Sequence, residues 1–217
     1  MVVGKFIAVI ILGYLLGSIP FGLIVSKLTR GIDVTEYGSG GTGGTNVMRI
    51  IGKRAGVAVI VLDIIKAVAA VMLAKVIMGD SILLIAGVPL GYQVAQIVVA
   101  FMVMVGHNWS AFIKFRGGKG VATYFGGWIV ISPIAALFGI VILLVTALRT
   151  RYMSLGSILG TLGIWCLLVP LTVFYEFHPM YLAYGLAAAV LVVYQHRENI
   201  VRLQAGTEPR LGEKVIN

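Results

Sequence analysis

The sequence predicts an all-α, polytopic membrane protein. Seven transmembrane helices form one integral membrane domain over residues 1–217, with the amino terminus outside and the carboxyl terminus in the cytoplasm. Three observations carry that prediction. Charged residues make up only 12% of the chain and hydrophobic residues 59%, whereas a soluble domain typically holds about 25% charged. Apolar runs from Phe6 to Val25, Ala55 to Met78 and Ile82 to Val105 reach the ~20 residues that cross a hydrocarbon core of roughly 30 Å. The basic residues are also distributed unevenly: with seven spans, 14 of the 17 Lys and Arg fall on the inner side, leaving Lys5, Lys66 and Lys75. The rule that cytoplasmic loops carry the excess of Lys and Arg therefore selects seven spans over six.

Taken in order, the first span covers 5–27. It reads as a retained helix: one lysine precedes it, its apolar stretch exceeds the usual ~7–15 residues of a signal peptide, and it lacks a small-residue cleavage site. Spans at 55–78 and 82–105 follow, separated by a tight turn at Gly79-Asp80. A short span at 120–132 begins within protein rather than lipid, where irregular backbone is tolerated. Pro133 opens the next, at 133–148; Thr150-Arg151 precedes 154–175, and a turn from Glu176 to Pro179 precedes 180–196. The tail 197–217 is charged and has no apolar periodicity. Cys166, alone of its kind and inside an apolar run, reads as packing and excludes both a disulfide framework and a cysteine metal cluster. No metal or cofactor is expected. The net charge of +9 borders apolar helices, so it points to topology, membrane lipids and phosphate rather than nucleic acid.

Three polar segments emerge on the predicted inner face. The first runs from Gly38 to Arg49, with five glycines in the seven residues 38–44. Gly38, Gly40, Gly41 and Gly43 let several backbone N–H groups point inward around an anion, with a flexible linker as the alternative reading. Ser39, Thr42, Thr45 and Asn46 add neutral donors, and Arg49 adds a fork suited to phosphate. The spacing Gly38-x-Gly40-x-x-Gly43 matches a dinucleotide fingerprint only formally, because a membrane helix rather than a strand precedes it. The second segment, Gly106 to Thr123, places Lys119 between Gly117, Gly118 and Gly120, which leaves room for a ligand beside the backbone. Lys114 and Arg116 suit either a substrate contact or a topology-setting interfacial charge. His107 suits either a base or a structural cap. The third segment ends the last span, where His196 and Asn199 share a helix face. They suit proton transfer and hydrogen bonding to a hydroxyl, or a plain interfacial cap. Ser154 and Ser157 repeat that spacing, free to bond a substrate or their own helix backbone. His178, on the outer turn, is read as structural. Asp63 and Lys66 lie three apart inside a span, as a functional site or a mutually satisfying pair.

Together these segments resemble the acyl-phosphate:glycerol-3-phosphate acyltransferases of bacterial membranes. The resemblance rests on the glycine loop ending Thr45-Asn46-x-x-Arg49, the run from Gly106-His107 through Gly117-Gly118-Lys119-Gly120 to Thr123, and His196-x-x-Asn199. Arg151 to Ser157 and Gly206-Thr207-Glu208 are also similar, while Gly41, Gly44 and Gln195 depart from the common pattern. The resemblance implies a seven-helix bundle in the bacterial inner membrane whose site faces the cytoplasm. It implies acyl phosphate and glycerol 3-phosphate as substrates, with 1-acyl-glycerol 3-phosphate (lysophosphatidic acid) and inorganic phosphate as products. It also implies that Ser39, Arg49, Lys119, Ser154, His196 and Asn199 act in catalysis or substrate binding. Acyl phosphate is already activated, so direct attack is expected, with an acyl-serine on Ser39 or Ser154 as the mechanistic rival. An anion transporter or a membrane scaffold are the alternatives from other functional classes.

Overall fold

The computed structural model describes residues 2–85, 88–175 and 177–213. The expected turn residue Glu176 and the tail cation Lys214 lie outside them, as do Ala86 and Gly87 of the expected third run.

Helices dominate, in the order α1 (Val2–Ser18), α2 (Phe21–Arg30), α3 (Gly44–Ile50), α4 (Lys53–Met78), α5 (Tyr92–Asn108), α6 (Val121–Ile131), α7 (Pro133–Thr150), α8 (Met153–Phe174), α9 (Pro179–Gln195) and α10 (Arg197–Gln204). Among the described residues, four stretches are long and apolar enough to cross a bilayer: Val2–Arg30, Lys53–Met78, Pro133–Thr150 and Met153–Phe174. The helices Val121–Ile131 and Pro179–Gln195 are apolar but shorter.

Two expectations are corrected. The first span is not one helix. Pro20 has no N–H to donate and disfavours the α conformation at Ile19, so α1 ends at Ser18 and α2 restarts at Phe21. The run beginning at Ile82 is not helical throughout either. Leu83–Ile85 and Val88–Leu90 (β1 and β2) pair as an antiparallel hairpin, Leu83 opposite Leu90 and Leu84 opposite Pro89, and α5 starts only at Tyr92. A short apolar run fits strand and helix equally by periodicity, and Pro89 tips this one. In the tail, on which the sequence offered no fold, α10 follows α9 almost directly, and residues 207–211 return toward the bundle, where Leu211 N–H donates to the Arg151 carbonyl at 2.7 Å.

The expected breaks between the later helices are well explained. Ser132 caps α7, its hydroxyl accepting from Ala135 N–H, and Pro133 occupies the first helical turn. His178 caps α9 by accepting from Met180 N–H at 3.2 Å, the structural role expected of it. Lys5 donates to the carbonyl of Met78 and to Ser81, closing the end of α4 away from the site.

Helices pack through small residues, as they must where the surroundings are as apolar as the side chains. Gly139 of α7 faces Gly160 of α8 so closely that a Cβ on either would lie 2.6–2.8 Å from the other's carbonyl. On the opposite face of α7, Ile134, Leu137, Val141, Leu144 and Leu148 are exposed at helical spacing, a lipid-facing stripe. The deepest core holds Tyr124, Trp128 and Tyr184, with the Trp128 and Tyr184 rings 5.1 Å apart.

Candidate active site

The polar segments meet at one end of the bundle, around a cavity of about 320 Å³. Its first wall is the glycine loop. Asn46, buried, organises that loop: its amide nitrogen faces the carbonyls of Gly41, Tyr37 and Val34 at 2.9, 3.1 and 3.3 Å, and its oxygen accepts from Ser39 N–H. Both ends of the amide are thereby occupied by backbone, so Asn46 shapes the cradle rather than supplying a free donor. Gly38 turns the chain in the left-handed region, at φ 60°, and a Cβ there would strike the Asn46 oxygen. The α3 helix then carries Arg49 to the cavity, where its guanidinium donates to the Pro209 carbonyl at 3.1 Å.

The second wall is the loop between α5 and α6. It joins the first through Thr42 N–H, which donates to Gly117 O at 3.2 Å. Gly118 N–H donates to the His107 carbonyl at 3.0 Å, and Gly120, at φ 80°, reverses the chain into α6. Lys119 stands between them and donates to the Asn199 side-chain oxygen. Burial pushes its ammonium down from 10.5 to about 8; the charges of Arg202 and Arg49 act in the same direction and nearby Glu208 opposes them.

The third wall comes from α8, α9, α10 and the tail. Glu208 is its hub, 5% exposed. One carboxylate oxygen accepts from Asn199 Nδ2 at 2.6 Å and from the Ser154 hydroxyl at 2.8 Å, and the other accepts from Arg202 Nε at 2.9 Å. Burial raises the Glu208 carboxyl, but those three hydrogen bonds and the Arg202 charge bring it net below its ordinary value. His196 ends α9, and its Nδ1–H donates to the Val192 carbonyl at 2.8 Å, which leaves Nε2 as an acceptor. Burial, then the Lys119 charge, push this imidazole down from 6.5 to about 4.

Of the residues singled out in the sequence, Ser39, Gly41, Gly43, Thr45, Asn46, Arg49, Gly118, Lys119, Gly120, Ser154, His196 and Asn199 line this cavity. Gly38, Gly40 and Gly117 lie behind its surface as framework, and Lys114 is exposed outside it with Arg116. The Ser157 hydroxyl donates to the Met153 carbonyl, the backbone option open to it. Asp63 and Lys66 form an ion pair at 2.7 Å, and His107, 6% exposed, joins them rather than capping a helix or standing free as a base. Sequence reasoning missed Glu208 as a site residue; its place in the Gly206-Thr207-Glu208 match was the available signal. It also missed the apolar wall of Ile60, Ile64, Phe125, Ile140, Leu143 and Leu144, whose spacing is ordinary for any membrane helix.

Fold and site together define an integral membrane protein in which a cationic, glycine-lined cradle opens onto an apolar wall beside lipid. A family model described as "Glycerol-3-phosphate acyltransferase" matches residues 7–206. The chain belongs to that family of integral membrane acyltransferases of phospholipid biosynthesis. It is 44% identical over 214 residues, 99% of each chain, to glycerol-3-phosphate acyltransferase 3 of Dehalococcoides mccartyi. It is 40% identical over 204 residues, 94% of each chain, to the glycerol-3-phosphate acyltransferase of a Thermoanaerobacter species. The crystal structure of PlsY (YgiH), an integral membrane glycerol 3-phosphate acyltransferase, is similar in its glycerol 3-phosphate form with a TM-score of 0.80, 36% identity and coverage of 95% of this chain and 96% of that one. Its lysophosphatidic acid form gives a TM-score of 0.78 at 37% identity.

Proposed function

We propose that the protein transfers a fatty acyl group from acyl phosphate to a hydroxyl of glycerol 3-phosphate, releasing 1-acyl-glycerol 3-phosphate and inorganic phosphate. The observation that carries this reading is the single cavity in which Arg49, Lys119, Ser39, His196 and Asn199 meet, floored by apolar side chains. Two phosphorylated substrates bring about four negative charges into one site. Arg49 and Lys119 offset that repulsion, and the glycine-loop amides add fixed dipoles that need no reorganisation as phosphate leaves. The acyl chain lies along Phe125, Ile140, Leu143 and Leu144 and stays on the lipid side.

The hydroxyl of glycerol 3-phosphate attacks the acyl carbonyl directly; the carbon–oxygen bond to phosphate breaks, and phosphate departs with the electron pair. Nε2 of His196 accepts the hydroxyl's hydrogen bond and orients it. The hydroxyl's proton passes to a substrate phosphate, whose second ionisation lies near 6. An acyl-serine is disfavoured: the Ser154 hydroxyl is already bound to Glu208, and among the described residues no hydroxyl is hydrogen-bonded to His196.

Seven crossings of the inner membrane put this end of the bundle in the cytoplasm, supported by the charge asymmetry of the loops. On this reading, purified protein releases phosphate only when both substrates are present. Lys119→Ala loses about 10²–10³-fold in turnover with unchanged elution in detergent. Substrate uptake into vesicles without acyl transfer would instead identify a transporter, and a trapped acyl-enzyme would identify the covalent route.

A further inference from the structure

Beneath the cradle lies a cluster of titratable groups with no part in the mechanism above. Lys66 of α4 is 4% exposed, and its ammonium has three protons. Three acceptors surround it: Asp63 Oδ1 at 2.7 Å, the Ile19 carbonyl at 2.9 Å and His107 Nδ1 at 3.1 Å. The Ile19 carbonyl sits at the break between α1 and α2, so Lys66 ties that break, α4 and the end of α5 to one point.

His107 passes this anchorage to the cradle in two ways. Its carbonyl accepts from Gly118 N–H at 3.0 Å, and its ring packs on Gly118 so tightly that a Cβ there would overlap Nε2. Gly118 directly precedes Lys119 in sequence, and both line the cavity. Asp63 lines it too, and an unpaired carboxylate at that point would repel phosphate; Lys66 neutralises it.

We infer that Asp63, Lys66 and His107 are positioning residues for Lys119, acting by fixing His107 as the tautomer that carries its proton on Nε2. A proton on Nδ1 would point at the Lys66 ammonium 3.1 Å away, whereas Asp63 stands further off at 3.5 Å. His196 shows the reverse arrangement, with its proton on Nδ1 toward Val192. The two histidines therefore carry their protons on opposite ring nitrogens, Nε2 at His107 and Nδ1 at His196. This inference rests on the transferase reading for the role of Lys119, but the tautomer itself does not.

Nitrogen NMR of histidine-labelled protein in nanodiscs tests the tautomer, with the His107 signal assigned by its loss in His107→Asn. The expected result is a bare Nδ1 and a protonated Nε2 at His107, with the Nδ1 signal moved in Lys66→Met. A protonated Nδ1 would overturn the inference whatever activities the variants show. The matching activity test compares two substitutions that conserve opposite ring edges. Asn places an acceptor where Nδ1 was, whereas Gln extends to the position of Nε2. With folding checked by elution and melting, His107→Asn is expected to keep kcat at least fivefold above His107→Gln, which loses about tenfold or more through misplacement of Lys119. Equal activity, or Gln the better, would refute positioning through Lys66. Wild-type protein that fails to acylate glycerol 3-phosphate would sink the functional reading and leave the NMR result standing.

Discussion

Lys119 is the residue whose surroundings most constrain the chemistry. Its ammonium, pushed by burial to about 8, is charged at neutral pH and loses that charge as pH rises. If the charge steadies phosphate, kcat/KM, which reports ionisations of the free protein, declines as pH passes upward through about 8. A flat profile to pH 9 or above would show that the Lys119 charge is dispensable. Glu208 acts in the opposite pH range. Its carboxyl is held below the ordinary 4.5, so the stabilisation it brings is fully present above that value and is lost as pH falls below it. Melting temperature should drop on acidification below about 4.5. Glu208→Gln, which keeps one acceptor oxygen and sets a donor against either Arg202 or the Asn199–Ser154 pair, should lessen that drop and lower turnover by loosening the network that holds Asn199 beside Lys119.

Among the elements, the glycine loop and the tail show how much of the site is built by backbone. Asn46→Ala leaves the Gly41 carbonyl and Ser39 N–H without a partner, while the Tyr37 and Val34 carbonyls keep Gly40 N–H and Tyr37 N–H. At about 1–3 kcal/mol for each buried group left unsatisfied, the loop loses its fixed form. The expected outcome is activity down by about tenfold or more with a small change in melting, since a 1 Å displacement of a positioning group costs up to about 10²-fold. The tail is the larger surprise. Residues 207–211 bring Glu208 to Ser154 and Asn199, and the Pro209 carbonyl to Arg49. Removing residues 206–217 should abolish turnover yet leave a monodisperse, helical protein in detergent. Full turnover by the truncated chain would show that the tail contacts are incidental.

For the molecule as a whole, the decisive question is which end faces which compartment. With Cys166 replaced, single cysteines at Lys114, Arg202 and Asp80 should sort into two sets in intact cells. Impermeant label applied outside should reach the Asp80 position and neither of the others. Labelling of the Lys114 and Arg202 positions from opposite sides would break the seven-crossing proposal and the shared cavity with it.

Much of this protein was legible before any coordinates. Missing charge and long apolar runs determine that it enters a membrane, because nothing else could solvate such a surface. Glycine-flanked Lys119 and the His196–Asn199 pair signalled a site, since apolar helices gain nothing from cations held in glycine turns. What the tertiary structure alone decided is which polar groups are free and which are occupied. Asn46, Ser157 and His107 look like donors or bases in the sequence, yet backbone and Lys66 occupy them. Glu208 looks like a tail residue, yet it holds Ser154, Asn199 and Arg202 together. Periodicity reports which face of a helix meets lipid, but a hydrogen bond between residues 154 and 208 depends on chain reversals that no local pattern encodes.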